Sequence, residues 1–220
     1  MLREISTLIK KEALIECRQK YAINGIILYL ASAVFIAYLS FSSTRGVVSV
    51  EAWNALFWII ILFTAVNAVA KSFLLEKGDR ILYYYSIASP EAIILSKIIY
   101  NTMLMIALGA LGILFYSVVF GNEVVNHSLF LLNLALGSMG FAIIFTMISG
   151  IASKASNSGA LMTILGFPVI APVLLVLIRL SSESIAGAMS SPGKDLAVLA
   201  ALNALAGTAA YLLFPYLWRS

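Results

Sequence analysis

The sequence predicts an all-α integral membrane protein with six transmembrane helices, and three of its features lead to that prediction. Apolar residues make up 62% of the 220 residues and charged residues 11%, against roughly 45–50% and about 25% in an average soluble domain. The mean hydropathy is +1.01. Six apolar stretches reach the length of about 20 residues that a helix needs to cross a bilayer. This composition excludes a soluble globular enzyme and a disordered tail, because too little charge is present to cover a soluble surface.

The six predicted spans follow one another along the whole chain without an internal repeat. They cover Ile23–Phe41, Ala52–Leu74, Ala92–Phe120, Leu129–Ile151, Gly159–Leu180 and Leu196–Trp218. The third is the longest, so we expect it to tilt or to extend beyond the membrane. Residues 181–195 are rich in Ser, Gly and Ala and predict an outer loop. The sequence therefore predicts one transmembrane domain over residues 1–220.

The basic residues predict the orientation of the chain. Of the 14 lysines and arginines, eleven lie in segments on the side of the N-terminus and three on the other side. Because basic residues are concentrated in cytoplasmic loops, both termini are predicted to be cytoplasmic. The same asymmetry accounts for the net charge of +4 without a nucleic-acid partner.

Within the N-terminal segment, residues 1–22, residues 1–11 predict an amphipathic helix at the membrane interface. At 100° per residue, one arc of about 120° collects its apolar side chains, namely Met1, Leu2, Ile5, Leu8 and Ile9. The other side is polar and suits the headgroups of anionic membrane lipids; it carries Arg3, Ser6, Thr7, Lys10 and Lys11. A basic leader that only fixes the topology is the alternative interpretation.

The predicted cytoplasmic loop, residues 75–90, carries the candidate site. Gly78 is a suitable end for the second helix, and Ser89 followed by Pro90 and Glu91 is a suitable start for the third. Between them, residues 79–87 predict a short helix at the membrane surface, where a soluble partner docks. The docking residues are Glu76, Lys77, Asp79, Arg80, Ile81, Leu82 and Tyr85. A solvated turn with its tyrosines in the aromatic belt of the membrane is the alternative.

The sequence shows no constellation of catalytic or metal-binding residues. The predicted spans hold no Asp or Glu at mid-membrane depth, where an intramembrane enzyme needs ionisable groups. Lys97 and Arg179 lie near the ends of spans and are expected to snorkel to the membrane surface. The single cysteine, Cys17, excludes an internal disulfide and a Cys-based zinc cluster, and the single histidine, His127, falls in a predicted outer loop. We predict a non-catalytic chain without a metal site, in which any ATP hydrolysis belongs to a partner.

The fifth span contains two prolines that predict a hinge. Pro168 and Pro172 are four residues apart and so lie on one face of the helix. Together with Gly166 they are expected to kink it and to release backbone carbonyl groups. A hinge that moves during function and a purely structural kink are both consistent with this pattern.

Small and amide side chains predict close helix contacts. In the last span, a ridge of small residues suits packing within the bundle or against a second copy of the chain in a homodimer; it consists of Ala200, Ala204 and Thr208. A second ridge pairs Asn203 with Gly207. We expect hydrogen bonds between helices from Asn67, Asn101 and Asn133.

Two stretches of the chain resemble a known family. The run F-L-L-E-K-G-D-R-I-L-Y-Y-Y-S-I-A-S-P-E-A-I-I-L-S-K at Phe73–Lys97 looks like the inner loop and the start of span three of haem exporter protein B. The proline-punctuated stretch Gly166–Leu174 is similar to that family's fifth span. The amphipathic N-terminus, the six spans and the short segment between spans two and three also resemble ABC-2-type transporter permeases.

The resemblance implies the membrane subunit of an ABC transporter-like complex for cytochrome c maturation in the bacterial inner membrane. An ATP-binding-cassette ATPase would bind ATP and dock on the inner loop, and a haem-handling membrane subunit and a periplasmic haem chaperone would complete the complex. ATP hydrolysis would drive haem export or release of the haem-loaded chaperone. An ABC-2-type permease for a lipid or a drug is the first alternative. A scaffold subunit of a membrane assembly complex, without coupling to ATP, is the second.

Overall fold

The chain folds into a bundle of long apolar helices. The computed structural model describes residues 1–18, 20–42, 49–69, 71–74, 88–154, 158–187 and 192–219, and these residues contain helices and no β-strand. In chain order the helices are α1 (Leu2–Arg18), α2 (Lys20–Ser42), α3 (Val50–Val69), α4 (Lys71–Leu74), α5 (Pro90–Phe120), α6 (His127–Ala152), α7 (Ser158–Ala186) and α8 (Pro192–Arg219).

Six of these helices are long and apolar enough to cross a membrane. The candidate spans are Ile23–Phe41, Val50–Val69, Pro90–Phe120, His127–Ala152, Ile164–Ala186 and Pro192–Trp218. The prediction of an all-α protein that crosses the membrane several times is therefore confirmed. At 31 residues, α5 is roughly 46 Å long, which exceeds the roughly 30 Å of a hydrocarbon core.

Helices α3 and α6 form the centre of the bundle. In their most apolar windows 61% and 67% of the residues are buried, against 17% in both α2 and α8. Glycines on α6 permit the close packing: a Cβ at Gly137 would lie 2.8 Å from the side chain of Leu177, and a Cβ at Gly140 would lie 2.6 Å from Oδ1 of Asn203. The centre is thus built by backbone approach, as is common between transmembrane helices.

Contacts between helix ends define two opposite faces of the bundle. Lys97 of α5 meets Glu12 of α1, and the backbone of Phe73 in α4 meets Ser149 near the end of α6. We call this end the N-terminal face. At the other end, which we call the opposite face, the Asn126 backbone N–H before α6 donates to the carbonyl of Ser184 near the end of α7.

The predicted second span, Ala52–Leu74, corresponds to α3 and α4, which flank a residue outside the described ones. One predicted boundary differs from the structure. Helix α7 continues to Ala186 and α8 begins at Pro192, so most of the predicted outer loop, residues 181–195, is helical where it is described. The serines predicted a loop, but α7 accommodates them: Ser181 and Ser184 each donate their hydroxyl to the carbonyl one turn earlier, so neither hydroxyl is left unpaired.

Candidate functional site at the N-terminal face

The predicted docking loop lies between α4 and α5, and the structure describes the residues on both sides of positions 75–87. The predicted docking residues themselves lie outside the described residues; they are Glu76, Lys77, Asp79, Arg80, Ile81, Leu82 and Tyr85. The described structure resumes at Ala88 and Ser89, directly before α5. The site is therefore built from the side chains that hold the ends of residues 75–87.

Lys97 of α5 is buried at the N-terminal face, where it contacts two other helices. Its side chain is 2% exposed, and its Nζ lies 3.0 Å from Oε1 of Glu12 in α1. The same ammonium donates to the carbonyl of Ser72 in α4 at 2.7 Å and lies 4.7 Å from the centre of the Phe73 ring. The expectation that Lys97 snorkels to the membrane surface is wrong, because its charge is neutralised inside the protein by a carboxylate, a carbonyl and a ring face.

Glu12 is the carboxylate that balances this charge. Its side chain is 15% exposed, and Lys11 of the same helix lies 2.8 Å from the same oxygen. Burial raises the pKa of the Glu12 carboxyl, while the ammonium groups of Lys97 and Lys11 lower it, and the net pKa lies below the ordinary value of 4.5. Glu12 is therefore ionised at neutral pH, as a buried lysine partner requires.

Hydroxyl and amide groups extend this cluster into α6. The Asn101 amide donates to Oγ of Ser72 at 3.1 Å and to Oγ1 of Thr146 at 2.7 Å. The backbone N–H of Phe73 donates to Oγ of Ser149 at 3.2 Å. Helix α4 is thus held between α5 and α6, and the predicted hydrogen bond from Asn101 to another helix is confirmed.

Helix α1 runs beside the start of α5 in the same direction. Three side-chain contacts join them, and we call these the α1–α5 ladder: Glu4 with Ser89 at 3.3 Å, Glu12 with Lys97, and Glu16 with Tyr100. The first two pairs are each 85 positions apart in the chain, and the third has nearly the same separation. Such a constant offset requires two near-parallel helices over about 12 residues, or roughly 18 Å.

The predicted amphipathic helix is present and longer than expected, and its apolar side packs partly on the protein itself. Ile5 is 8% exposed, and Leu8 packs against a buried cluster that includes Ile93 and Ile94 of α5. Met1 and Leu2 are exposed. The acidic residues at positions 4, 12 and 16 share one side of α1, and this spacing is the signal by which the ladder is recognisable in the sequence.

The comparison with known protein families places this chain. The family model described as "CcmB protein" matches residues 3–216, which is almost the whole chain. The chain belongs to the CcmB family. The resemblance to haem exporter protein B is therefore confirmed, and the chain is a multi-pass membrane component of the haem exporter ABC system of cytochrome c maturation. A comparison with curated proteins gives no match.

The predicted hinge residues of this CcmB-family chain lie inside an uninterrupted helix. Pro168 and Pro172 are both within α7, and both are exposed on its outer side. The neighbouring Phe167 and Val169 are also exposed. Gly166, in contrast, faces α6: a Cβ at this position would lie 3.2 Å from the ring of Phe145. The structure does not bring either proline to the cluster around Lys97, and their role as a hinge stays a prediction.

A second set of buried polar side chains joins α3, α6 and α7 in the half of the bundle towards the opposite face. The indole Nε1 of Trp58 in α3 and the amide of Asn133 in α6 both donate to Oγ of Ser181 in α7, at 2.6 and 2.7 Å. Asn133 also donates to the carbonyl of Leu177 at 2.9 Å, and Asn54 donates to the carbonyl of Ile178 at 2.7 Å. The predicted bond from Asn133 to another helix is confirmed.

Other predicted contacts have mixed outcomes. Asn67 donates to the carbonyl of Phe63 in its own helix, so the expected bond to another helix is wrong; the carbonyl one turn earlier is its nearest acceptor. Asn203 is buried and donates to the carbonyl of Leu136 in α6 at 2.9 Å.

His127 is exposed and lies 2.9 Å from the amide of Asn122. The ridge of Ala200, Ala204 and Thr208 is exposed on α8, which leaves it available to a second subunit and not to the bundle.

Proposed function

We propose that this chain is the non-catalytic, permease-like subunit on which a separate ATP-binding-cassette ATPase acts, and that the ATPase docks at residues 75–87. The observation that carries the proposal is the anchoring of both ends of this loop. Ser72 and Phe73 on one side and Ser89 on the other are held by α1, α5 and α6 through polar contacts of 2.7, 3.2 and 3.3 Å. A loop with anchored ends transmits a push to the spans, whereas a loose loop absorbs it.

The proposed orientation puts the N-terminal face in the cytoplasm and the protein in the bacterial inner membrane. Eleven of the 14 basic residues belong to that side, as the positive-inside tendency requires. Helix α1 exposes Arg3, Lys10 and Arg18, which suits anionic membrane lipids at the cytoplasmic surface. Both termini are then cytoplasmic, and the opposite face is periplasmic.

The work done by this subunit is proposed to be haem export or release of a haem-loaded periplasmic chaperone from the complex. The other partners would be a haem-handling membrane subunit and the chaperone itself, with ATP bound by the ATPase. The polar cluster around Lys97 supports a mechanical role, since it links the docking loop to α6 at the centre of the bundle. Haem is the handled species, whether it passes through this chain or is released beside it.

Charge reversal in the loop tests the docking site. We expect Glu76→Lys and Asp79→Lys, singly and together, to reduce the amount of ATPase that co-purifies with the tagged chain, with unchanged levels in the membrane. Glu123→Lys is the matched control, because Glu123 is exposed at the opposite face. Unchanged ATPase recovery in both single variants and the double variant would contradict the docking assignment.

Capture from the native membrane and deletion test the biological assignment. A mild-detergent pull-down, analysed by mass spectrometry, is expected to recover an ATP-binding-cassette subunit and a haem-handling membrane protein. Deletion is expected to remove c-type cytochromes, measured by haem staining. An ATPase recovered without any loss of c-type cytochromes would point to another substrate, and recovery of no ATPase would favour a scaffold subunit.

A further inference from the structure

Both ends of the docking loop are fastened to the same helix, α1. At the first end, the carbonyl of Ser72 accepts from Lys97, and Lys97 in turn pairs with Glu12 of α1. At the second end, Ser89 donates directly to Glu4 of α1 at 3.3 Å. Helix α1 therefore bridges the two sides of the loop, although it is far from the loop in the sequence.

The chemistry of these contacts disfavours separation of α1, α4 and α5 from one another. Moving α4 away from α5 would take the carbonyl acceptor from the Lys97 ammonium, and moving α1 away would take the carboxylate. Either movement takes one polar partner from an ammonium group that is 2% exposed, which is unfavourable because water cannot replace that partner. A joint displacement of the three helices keeps every contact.

The contacts between this group and α6 are of a different kind. Asn101 meets Thr146, and the backbone of Phe73 meets Ser149; all four groups are neutral. Neutral hydrogen bonds are weaker than charge-assisted ones, and the Asn101 amide has a second hydroxyl acceptor in Ser72. Of the polar contacts, those between α6 and the three joined helices are therefore the easiest to break.

We propose that α1, α4 and the start of α5 form one moving body, which slides against α6 when the ATPase acts on the loop, and that Lys97 is the positioning residue that joins them. This rests on the proposed function, in which the loop is the ATPase contact. The N-terminal helix is then part of the coupling element in addition to being a membrane-surface anchor.

Substitution of Lys97 tests whether this residue joins α1, α4 and α5. In Lys97→Met, the apolar chain is kept and the ammonium is lost; we expect c-type cytochromes to fall about tenfold or more, since the buried carboxylate of Glu12 loses its partner from α5. The ATPase should still co-purify and hydrolyse ATP, which is an uncoupled state that a merely structural role would not produce. Lys97→Arg keeps the charge and donors and should retain most cytochrome maturation. Normal cytochrome levels in Lys97→Met would overturn the proposal, as would a parallel loss of ATPase capture.

Cross-linking tests the moving body without altering Lys97. In a chain with Cys17→Ser, which removes the exposed native thiol, Glu4→Cys and Ser89→Cys place thiols at the first contact of the α1–α5 ladder. Cells are treated with a short, membrane-permeant bismaleimide before a c-type cytochrome reporter is induced; the controls are the untreated double-cysteine chain and the treated chain with Cys17→Ser alone. Maturation should persist after cross-linking, because the two helices move together. Loss of maturation in the cross-linked chain alone would show that α1 must leave α5, and would overturn the proposal.

The two levels of inference fail differently. If the unaltered chain captures no ATPase, the proposed function fails and the moving body fails with it. If capture is intact and the cross-link abolishes maturation, only the moving body is wrong and the docking loop stands.

Discussion

The N-terminal face and the opposite face of this bundle are held together by different forces. At the N-terminal face, a buried ion pair and a set of hydroxyl and amide contacts join α1, α4, α5 and α6, beside a smaller group of rings formed by Phe73, Phe214 and Trp218. At the opposite face, packed aromatic rings surround neutral hydrogen bonds from tryptophan and asparagine to α7. Aromatic packing depends on shape and resists rearrangement, whereas hydroxyl contacts can exchange partners. The difference suggests a fixed end and an end that moves.

The aromatic cluster of the opposite face consists of Trp53, Phe57, Trp58, Tyr116, Phe130 and Phe141. Neighbouring rings have centroid distances between 4.9 Å and 6.2 Å, mostly in edge-to-face arrangements, which is the favoured geometry for aromatic pairs. The hydroxyl of Tyr116 donates to the carbonyl of Trp53 at 2.9 Å. The cluster therefore fixes α3, α5 and α6 to each other at this end.

Removal of a ring from the aromatic cluster is expected to have the largest effect. Trp58 is fully buried, so Trp58→Ala should lower the free energy of unfolding by about 3–5 kcal/mol, as the cavity and the lost bond to Ser181 both contribute. Thermal denaturation in detergent should show the loss, and ATPase capture and cytochrome maturation should fall together. Trp58→Phe, which keeps most of the ring volume, should cost much less. Separate loss of maturation with normal stability would contradict a purely structural role for this end.

Loss of charge at the N-terminal face is expected to have a smaller and more local effect. Glu12→Gln leaves Lys97 with a neutral acceptor and should cost about 1.5–3 kcal/mol, the range for hydrogen bonds to charged groups. Glu4→Gln alters an exposed contact of the α1–α5 ladder and should cost below about 1 kcal/mol. Thermal denaturation measures both costs. Equal costs for the two variants would show that burial of Lys97 does not strengthen the contact.

The two ends also differ in how much of them the sequence predicts. The six spans follow from hydropathy alone, and Asn133 in an apolar span has to find a partner on another helix. The pairing of Lys97 with Glu12 depends on two residues 85 positions apart, and a lysine near the end of a span is equally compatible with snorkelling. The acidic side of α1 is visible in the sequence, but its partner on α5 is set by tertiary packing.

A substitution at the centre of the bundle should have a moderate effect. A Cβ at Gly140 would lie 2.6 Å from Oδ1 of Asn203, so Gly140→Ala displaces that amide and its bond to the carbonyl of Leu136. We expect a loss of about 1 kcal/mol, typical of a hydrogen bond between transmembrane helices, measured by thermal denaturation. Gly25→Ala is the control, since a Cβ there meets nothing within 4 Å, and it should be neutral or slightly stabilising. A larger loss in Gly25→Ala than in Gly140→Ala would refute the close-packing argument.

The smallest effect expected under physiological conditions is that of pH on the ion pair. The pKa of Glu12 lies below its ordinary value of 4.5 in the folded chain, so the stabilisation that it provides is complete above that value and is lost as the pH falls through the lower folded-state pKa. Spin labels at Cys17 and at Met103→Cys, which is exposed on α5, report the separation of α1 from α5. The distance distribution should be constant from pH 8 to about pH 5, and should broaden only in more acidic samples, since protonation of Glu12 removes the carboxylate that holds Lys97. In Glu12→Gln the distribution should be broad at every pH. Broadening of the distribution in the unaltered chain near neutral pH would instead show that a group titrating there holds α1 on α5. The ion pair between Lys97 and Glu12 would then no longer explain how the N-terminal face is coupled to the loop.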